Sequence, residues 1–272
     1  MFVIVLSFVL VGILVGVLAG MFGFGGGLIV VPAIVTFISI HEPMFVSNSM
    51  HIAVATSLFV MFFTSIKTTY AHYKANNIIW SIALKLKMGL IVGTVLGAAI
   101  ASYLSSSLLE SLFIIFLIYT VIKLVLKMLN SAKSEADEYC NNIGKPLPIL
   151  LYIYGLFTGF VSVVLGIGGS IIIVPFLRGR NYRLTTAAAI ASSIVPFLAL
   201  FGAISYIIAG YGLSNLPDYC LGFVYLPVAI SLIIGSFIGV SIGVNLSGKI
   251  SQKLQNWAYL VIMLIILTVM IL

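Results

Sequence analysis

Gly16-Val17-Leu18-Ala19-Gly20-Met21-Phe22-Gly23-Phe24-Gly25-Gly26-Gly27-Leu28-Ile29-Val30-Val31-Pro32 returns 143 residues later as Gly159-Phe160-Val161-Ser162-Val163-Val164-Leu165-Gly166-Ile167-Gly168-Gly169-Ser170-Ile171-Ile172-Ile173-Val174-Pro175. Gly16, Gly23, Gly25, Gly26, Ile29, Val31 and Pro32 recur unchanged. Glycines clustered inside an apolar run weaken a helix and release backbone polar groups. In hydrocarbon those groups need partners, so a broken helix survives only inside protein or along a cavity. Paired breaks in corresponding positions of two halves point to the binding site of a transporter.

The surroundings of both copies are those of a membrane protein. The chain is 62% hydrophobic and 7% charged, with a mean hydropathy of +1.28, whereas soluble domains carry roughly 25% charged residues. An aqueous surface cannot be built from so few charges, and the fold class read from them is an all-α polytopic membrane protein. The apolar start, Met1 to Leu18, lacks a basic leader and a small-x-small cleavage pattern, and is read as a retained membrane segment. The net charge of +7 comes from bases scattered through short loops. They are topology signals rather than a nucleic-acid surface. Cys140 and Cys220 are too few for a disulfide framework.

Apolar runs fall near 2–38, 49–66, 78–103, 108–128, 148–177, 185–209, 219–245 and 254–272. The polar stretch from Asn130 to Gly144 divides them four and four. Two further matches keep the same order: Leu90–Gly97 with Leu232–Gly239, and Ala53–Ser57 with Ala189–Ser193. The chain therefore divides into a first repeat (1–129), a connector (130–147) and a second repeat (148–272). Corresponding loops carry opposite charge. Glu42 stands against Arg178, Arg180 and Arg183; Lys67, Lys74, Lys85 and Lys87 against Asp218; Glu110 against Lys249 and Lys253. Opposite signs are what the positive-inside rule gives for inverted repeats.

Eight simple crossings (4+4) would split the 13 bases eight to five between the two sides. If each glycine-broken run enters and leaves by one face, every base becomes cytoplasmic. As a single helix, residues 2–38 would span roughly 55 Å against a core of ~30 Å. The expected architecture is two inverted repeats, each a re-entrant hairpin plus three transmembrane helices, in the cytoplasmic membrane with the connector cytoplasmic. Pro32 and Pro175 are expected to end the short arms after each break. Eight crossings with kinked first segments stay as the alternative.

The candidate substrate-binding residues centre on Gly23, Phe24, Gly25, Gly26 and Gly27 and on Gly166, Ile167, Gly168, Gly169 and Ser170. Free N–H groups at a helix break carry partial positive charge without an ionised side chain, and two facing breaks make a nest for an anion. Thr56 and Ser57, matched by Ser192 and Ser193, add hydroxyl donors. Asn48 and His51 precede the first pair, and His51 leaves proton coupling open. Isolated Gly93, Gly97, Gly235 and Gly239 read as helix-packing positions. Three scattered histidines give no metal spacing, and the membrane segments hold no nucleophile–base pair or paired carboxylates. No cofactor and no enzymatic activity are expected.

The duplicated Gly-x-Gly-Gly…Pro segments, Ala55-Thr56-Ser57-Leu58 and the 4+4 layout resemble the TauE/SafE family of sulfite exporter-like permeases. The resemblance runs over essentially the whole chain, although the Ala-Thr-Ser-Leu signature has drifted to Ala191-Ser192-Ser193-Ile194 in the second half. It implies transport of a sulfur-containing anion such as sulfite, thiosulfate, sulfoacetate or another organosulfonate, and with the paired repeats the expected activity is that of a secondary transporter working by alternating access. Transport of another small metabolite, or a non-transporting module that binds a partner protein, are the other readings. The partners are a small anion and the lipid bilayer, and the sequence carries no signal for oligomeric state.

Overall fold

The two longest apolar runs do not form single helices. The computed structural model describes residues 2–22, 26–130, 147–213, 215–247 and 252–271. Five helices precede the connector: α1 (Phe2–Phe22), α2 (Gly27–His41), α3 (Ser49–Lys74), α4 (Trp80–Ala101) and α5 (Ser106–Asn130). Five follow it: α6 (Pro148–Leu165), α7 (Ser170–Arg178), α8 (Leu184–Ala209), α9 (Leu226–Ser247) and α10 (Gln252–Ile271). A 3-10 turn, Pro43–Asn48, leads into α3, and a two-stranded antiparallel ribbon (β1 Cys220–Leu221, β2 Val224–Tyr225) leads into α9. The protein is thus an all-α polytopic membrane protein. Among the described residues six helices are long and apolar enough to cross a membrane, α3, α4, α5, α6, α8 and α9, with shorter apolar segments in α1, α2 and α10. The connector's residues 131–146 lie outside the described residues.

At each glycine cluster the chain folds back on itself. Phe8 of α1 meets Phe37 of α2 edge-on, with ring centroids 5.1 Å apart. Tyr154 of α6 stacks on Phe176 of α7 at 3.8 Å. Pro32 and Pro175 do not end the arms, contrary to the sequence expectation. Each is the sixth residue of its helix, α2 or α7, and the helix continues beyond it. A proline that early removes one intrahelical bond close to the free N-terminal turn, and burial of neighbours such as Val31, Ile34, Val174 and Leu177 carries the helix through.

Glycine stripes then lock the two halves together. A Cβ on Gly235, Gly239 or Gly243 of α9 would strike the carbonyls of Val9, Ile13 and Val17 of α1. A Cβ on Gly89 or Gly93 of α4 would strike those of Tyr152 and Leu156 of α6. Both pairs run parallel, because residue numbers rise together along each contact. Close approach of this kind replaces the hydrophobic drive that helices lack in lipid. The first helix of each half therefore packs along the fourth helix of the other.

The centre is the crossing of α3 and α8. Thr69 Oγ1 donates to Ser192 O at 2.8 Å, and a Cβ on Gly202 would lie 3.0 Å from Leu58 Cδ1, so these two helices run antiparallel. Met61, Val195 and Ala199 are buried together where they cross. The outer helices turn apolar side chains outward instead, among them Leu84, Met88, Ile115, Ile122, Ile234 and Val261. An apolar exterior around a small-residue interior is the surface a bilayer solvates.

Candidate functional site

The two glycine breaks touch. A Cβ on Gly27 would strike the carbonyl of Gly166, 2.8 Å from Met61 Cε and 3.0 Å from Ser57 Oγ. Gly26, the N-cap of α2, has φ +76°, and Gly166, the C-cap of α6, has φ +66°. The left-handed conformation costs glycine nothing sterically: at Gly166 it stops α6 abruptly, and at Gly26 it leads the chain into α2. Gly166 packs against Val31 and Val54, 2.9–3.0 Å from where a side chain would begin. Gly23, Phe24 and Gly25 lie outside the described residues.

The second break is ordered by its own backbone. Ile167 N donates to Ser162 O at 3.0 Å, and Ile171 N to Gly168 O at 3.5 Å. Gly169 caps α7, and its carbonyl accepts from the N–H groups of Ile172 and Ile173. Ile167 and Ser170 are fully buried, with Ser170 the first residue of α7. At the first break the carbonyl of Gly26 accepts in the same way from Ile29 and Val30.

The predicted hydroxyls divide between tasks. Ser57 Oγ donates to Gly166 O at 2.9 Å, which ties α3 to the second break. Thr56 Oγ1 accepts the N–H of Tyr225 at 3.0 Å, which ties α3 to the ribbon rather than to a glycine break. Ser192 and Ser193 bond back to the carbonyls of Ala189 and Ile190 in their own helix. Asn48 and His51 stand at the N-terminal end of α3. Asn48 Nδ2 donates to Asn215 O at 3.1 Å. His51 is buried, stacked on Phe223, with Nε2 3.1 Å from Ala101 O and Nδ1 3.5 Å from Ser106 Oγ. The structure therefore brings Gly26, Gly27, Ser57, Gly166, Ile167, Gly168, Gly169 and Ser170 together, while Asn48 and His51 stand at the end of α3 and the hydroxyls of Thr56, Ser192 and Ser193 bond away from the breaks.

Sequence reasoning passed over several neighbours. Met61 lies beside Gly27. Tyr206 is buried and donates to Val163 O at 3.3 Å, one turn before the second break. Thr158 and Ser162, on the face of α6 toward Gly169, are fully buried. Only Ser162 lies within the duplicated stretch, where the first copy has Ala19.

Charge is segregated along the molecule. Glu42 and Asp218 both act on Tyr225, and Glu42 also on Cys220, so these groups gather beside the ribbon at the N-terminal end of α3. Their negative charge adds to burial in pushing the Cys220 thiol up to about 12 and the Tyr225 hydroxyl above its ordinary value; burial is the larger cause for both. At the opposite end, Tyr73 of α3 meets Trp80 of α4, and Lys74, Arg178, Arg180 and Arg183 flank the ends of α3, α7 and α8. Lys67 and Lys87 lie over the rings of Phe237 and Phe197, and Arg180 over Phe176.

The profile of the family described as "Sulfite exporter TauE/SafE" matches residues 8–270. A "probable membrane transporter protein" of Haemophilus influenzae is 28% identical over 240 residues, covering 87% of this chain and 86% of that protein. Another of that description, from Methanocaldococcus jannaschii, is 34% identical over 230 residues, covering 83% and 80%. No solved structure matches the chain.

Proposed function

This chain belongs to the TauE/SafE family and is a membrane transporter, not an enzyme; from that premise we propose that it moves a small sulfur-containing anion by alternating access. Sulfite, thiosulfate, sulfoacetate and related organosulfonates form the substrate class. The observation that carries this reading is the contact between the two breaks, Gly27 against the Gly166 carbonyl, with Ser57 bridging them. Helix ends that meet inside protein offer N–H donors to an anion with no ionised partner to remove first.

We read the halves as inverted repeats. What supports it is direction: α1 runs parallel to α9, α6 parallel to α4, and α3 antiparallel to α8. The break-and-return of α1–α2 and α6–α7 supports re-entrant hairpins. The cationic end of the molecule, with the connector, is the cytoplasmic end under the positive-inside rule, in a cytoplasmic membrane. In this reading a rocking of the two interlocked units opens the glycine site first to one face and then to the other. His51, at the acidic end, is the candidate for proton coupling.

The test is flux through proteoliposomes. Sulfite, thiosulfate and sulfoacetate are loaded on one side, with and without a pH gradient, and their appearance on the other is measured. Saturable movement of at least one of them is the expected result. Movement of a non-sulfur metabolite alone would reassign the substrate, and no movement of any solute beside a captured protein partner would remove the transport reading.

A further inference from the structure

Lys67 carries a positive charge into the lipid-facing side of the bundle. It is half-buried on α3, seven residues before the helix ends at Lys74, roughly 10 Å inside along the axis. Its Nζ donates to the carbonyl of Phe237 and, at 2.6 Å, to Ser241 Oγ, and lies 5.3 Å from the centre of the Phe237 ring. α3 and α9 run side by side in one direction. Thr56 is bonded to Tyr225 and, farther along both helices, Lys67 to Phe237 and Ser241. Phe237 is the twelfth of the 22 residues of α9, so the ammonium meets that helix at mid-length and not at its end.

The spot faces outward. Phe237 is 41% exposed and Ser241 is exposed, on the apolar exterior that a bilayer solvates. Tyr70 and Lys74 follow Lys67 three and seven positions on, along the same face of α3. Lys74 Nζ lies over the Tyr70 ring at 5.0 Å. Exposed Tyr70, Tyr73 and Trp80 form an aromatic belt of the kind that sits at a membrane–water interface. The seam between α3 and α9 thus has a lysine beneath the belt and another at its rim.

That charge is unbalanced. The carboxylates among the described residues are Glu42, Glu110 and Asp218, and all three stand at the other end of the molecule. Glu42 and Asp218 lie beside the ribbon, and Glu110 opens α5 where α4 has crossed back to that end. An ammonium has three donors, and the acceptors from Phe237 and Ser241 are neutral. One proton and the whole charge remain for an anion. Low dielectric strengthens such an attraction, and basic seams between membrane helices suit anionic headgroups.

We propose that the seam between α3 and α9 binds an anionic phospholipid. Lys67 and Ser241 hold its phosphate, Lys74 faces the outer side of the headgroup, and an acyl chain runs inward over Phe237 and Ile234. Ile234 is exposed one turn deeper on the same face of α9. The site is separate from the glycine breaks, since Ser57 lies ten residues earlier on α3, roughly 15 Å along the axis. The inference goes beyond the transport reading and does not depend on which solute is carried.

The test follows Tm of protein purified in neutral detergent. It is titrated with short-chain phosphatidylglycerol, with phosphatidylcholine of the same chains, and with the free anions phosphate and sulfite, and the midpoint of each response is read. Phosphatidylglycerol should act at a midpoint about 10-fold or more below that of phosphatidylcholine. Lys67→Met, which keeps the apolar stem and removes the charge, should erase that preference and leave the sulfite midpoint in place. Lys67→Arg should retain it. Lys123→Met is the control, because Lys123 lies over Tyr119 of its own helix near the same end of the molecule. Equal midpoints for the two lipids in wild type overturn the proposal. So does a preference that Lys123→Met removes as well, which would make it a response to overall charge. Free phosphate acting through Lys67 as well as phosphatidylglycerol makes this a soluble-anion site and overturns the lipid assignment. A lipid preference that survives Lys67→Met leaves Lys67 as a strut between helices and overturns it too. If Lys67→Met cannot be purified folded, Ser241→Ala with Lys74→Gln, both at exposed positions, is read in its place, and an unchanged phosphatidylglycerol midpoint there is equally fatal.

Discussion

Ser57 shows how a residue can be well placed and still occupied. Its hydroxyl is buried on α3 and spends its proton on the Gly166 carbonyl at 2.9 Å. Ser57→Ala leaves that carbonyl without a partner inside the protein and should cost about 1–3 kcal/mol of stability, read as a lower Tm of purified protein without added anion. Gly166 itself is constrained by its backbone. Gly166→Ala puts a side chain on φ +66° and against Val31 and Val54, and should cost roughly 1–2 kcal/mol in conformation alone. Cys220 makes a pH-dependent prediction. Its folded pKa of about 12 lies above the ordinary value of 9.0, chiefly through burial and then through Glu42. The neutral thiol's contribution to stability is therefore whole below pH 9 and is lost as pH climbs toward 12. Maleimide should modify Cys220 slowly at pH 7.5 in the folded protein and rapidly after unfolding. Thr158 and Ser162 escaped the sequence reading for a related reason. Whether a helical hydroxyl bonds back to its own carbonyls or faces a neighbour is decided by rotamer and packing, which residue type does not encode.

The elements were more legible than the contacts between them. Glycine clusters announced the breaks because no packing need explains a Gly-x-Gly-Gly run in an apolar segment. The prolines misled because their position within the coming helix, sixth in both α2 and α7, depends on where the break ends. Partner choice was not legible at all, since a glycine stripe marks a close approach and not the helix that makes it. Gly93 belongs to such a stripe. Gly93→Ala drives a methyl into the Leu156 carbonyl of α6 and should destabilise by about 1–3 kcal/mol. Gly239→Ala does the same between α9 and α1. Thermal unfolding of both variants should show similar losses, with the anion midpoint of the folded fraction unchanged. A shifted midpoint in either would mean that its stripe carries more than packing.

At the scale of the molecule the loop charges become a direction. Lys74 and Arg180 stand at one end, Glu42 and Asp218 at the other. Single cysteines placed at Lys74 and Arg180 in a chain freed of Cys140 and Cys220 should both react with an impermeant reagent from the cytoplasm. Cysteines at Glu42 and Asp218 should react from outside. Labelling of Lys74 and Arg180 from opposite faces would end the inverted-hairpin arrangement. The interlocking of the halves also sets a timetable for synthesis. α1 leaves the ribosome early, yet the helix that covers its own glycine stripe (Gly12 and Gly16), α9, begins roughly two hundred residues later. At ~5–20 residues per second α1 waits some ~10–40 s in the membrane with that stripe uncovered. A nascent chain halted before Leu226 should hold α1 open to protease and to lipid-phase crosslinkers, and release of the full chain should close it. For this protein, the synthesis of α9 is the event that lets α1 fold into place.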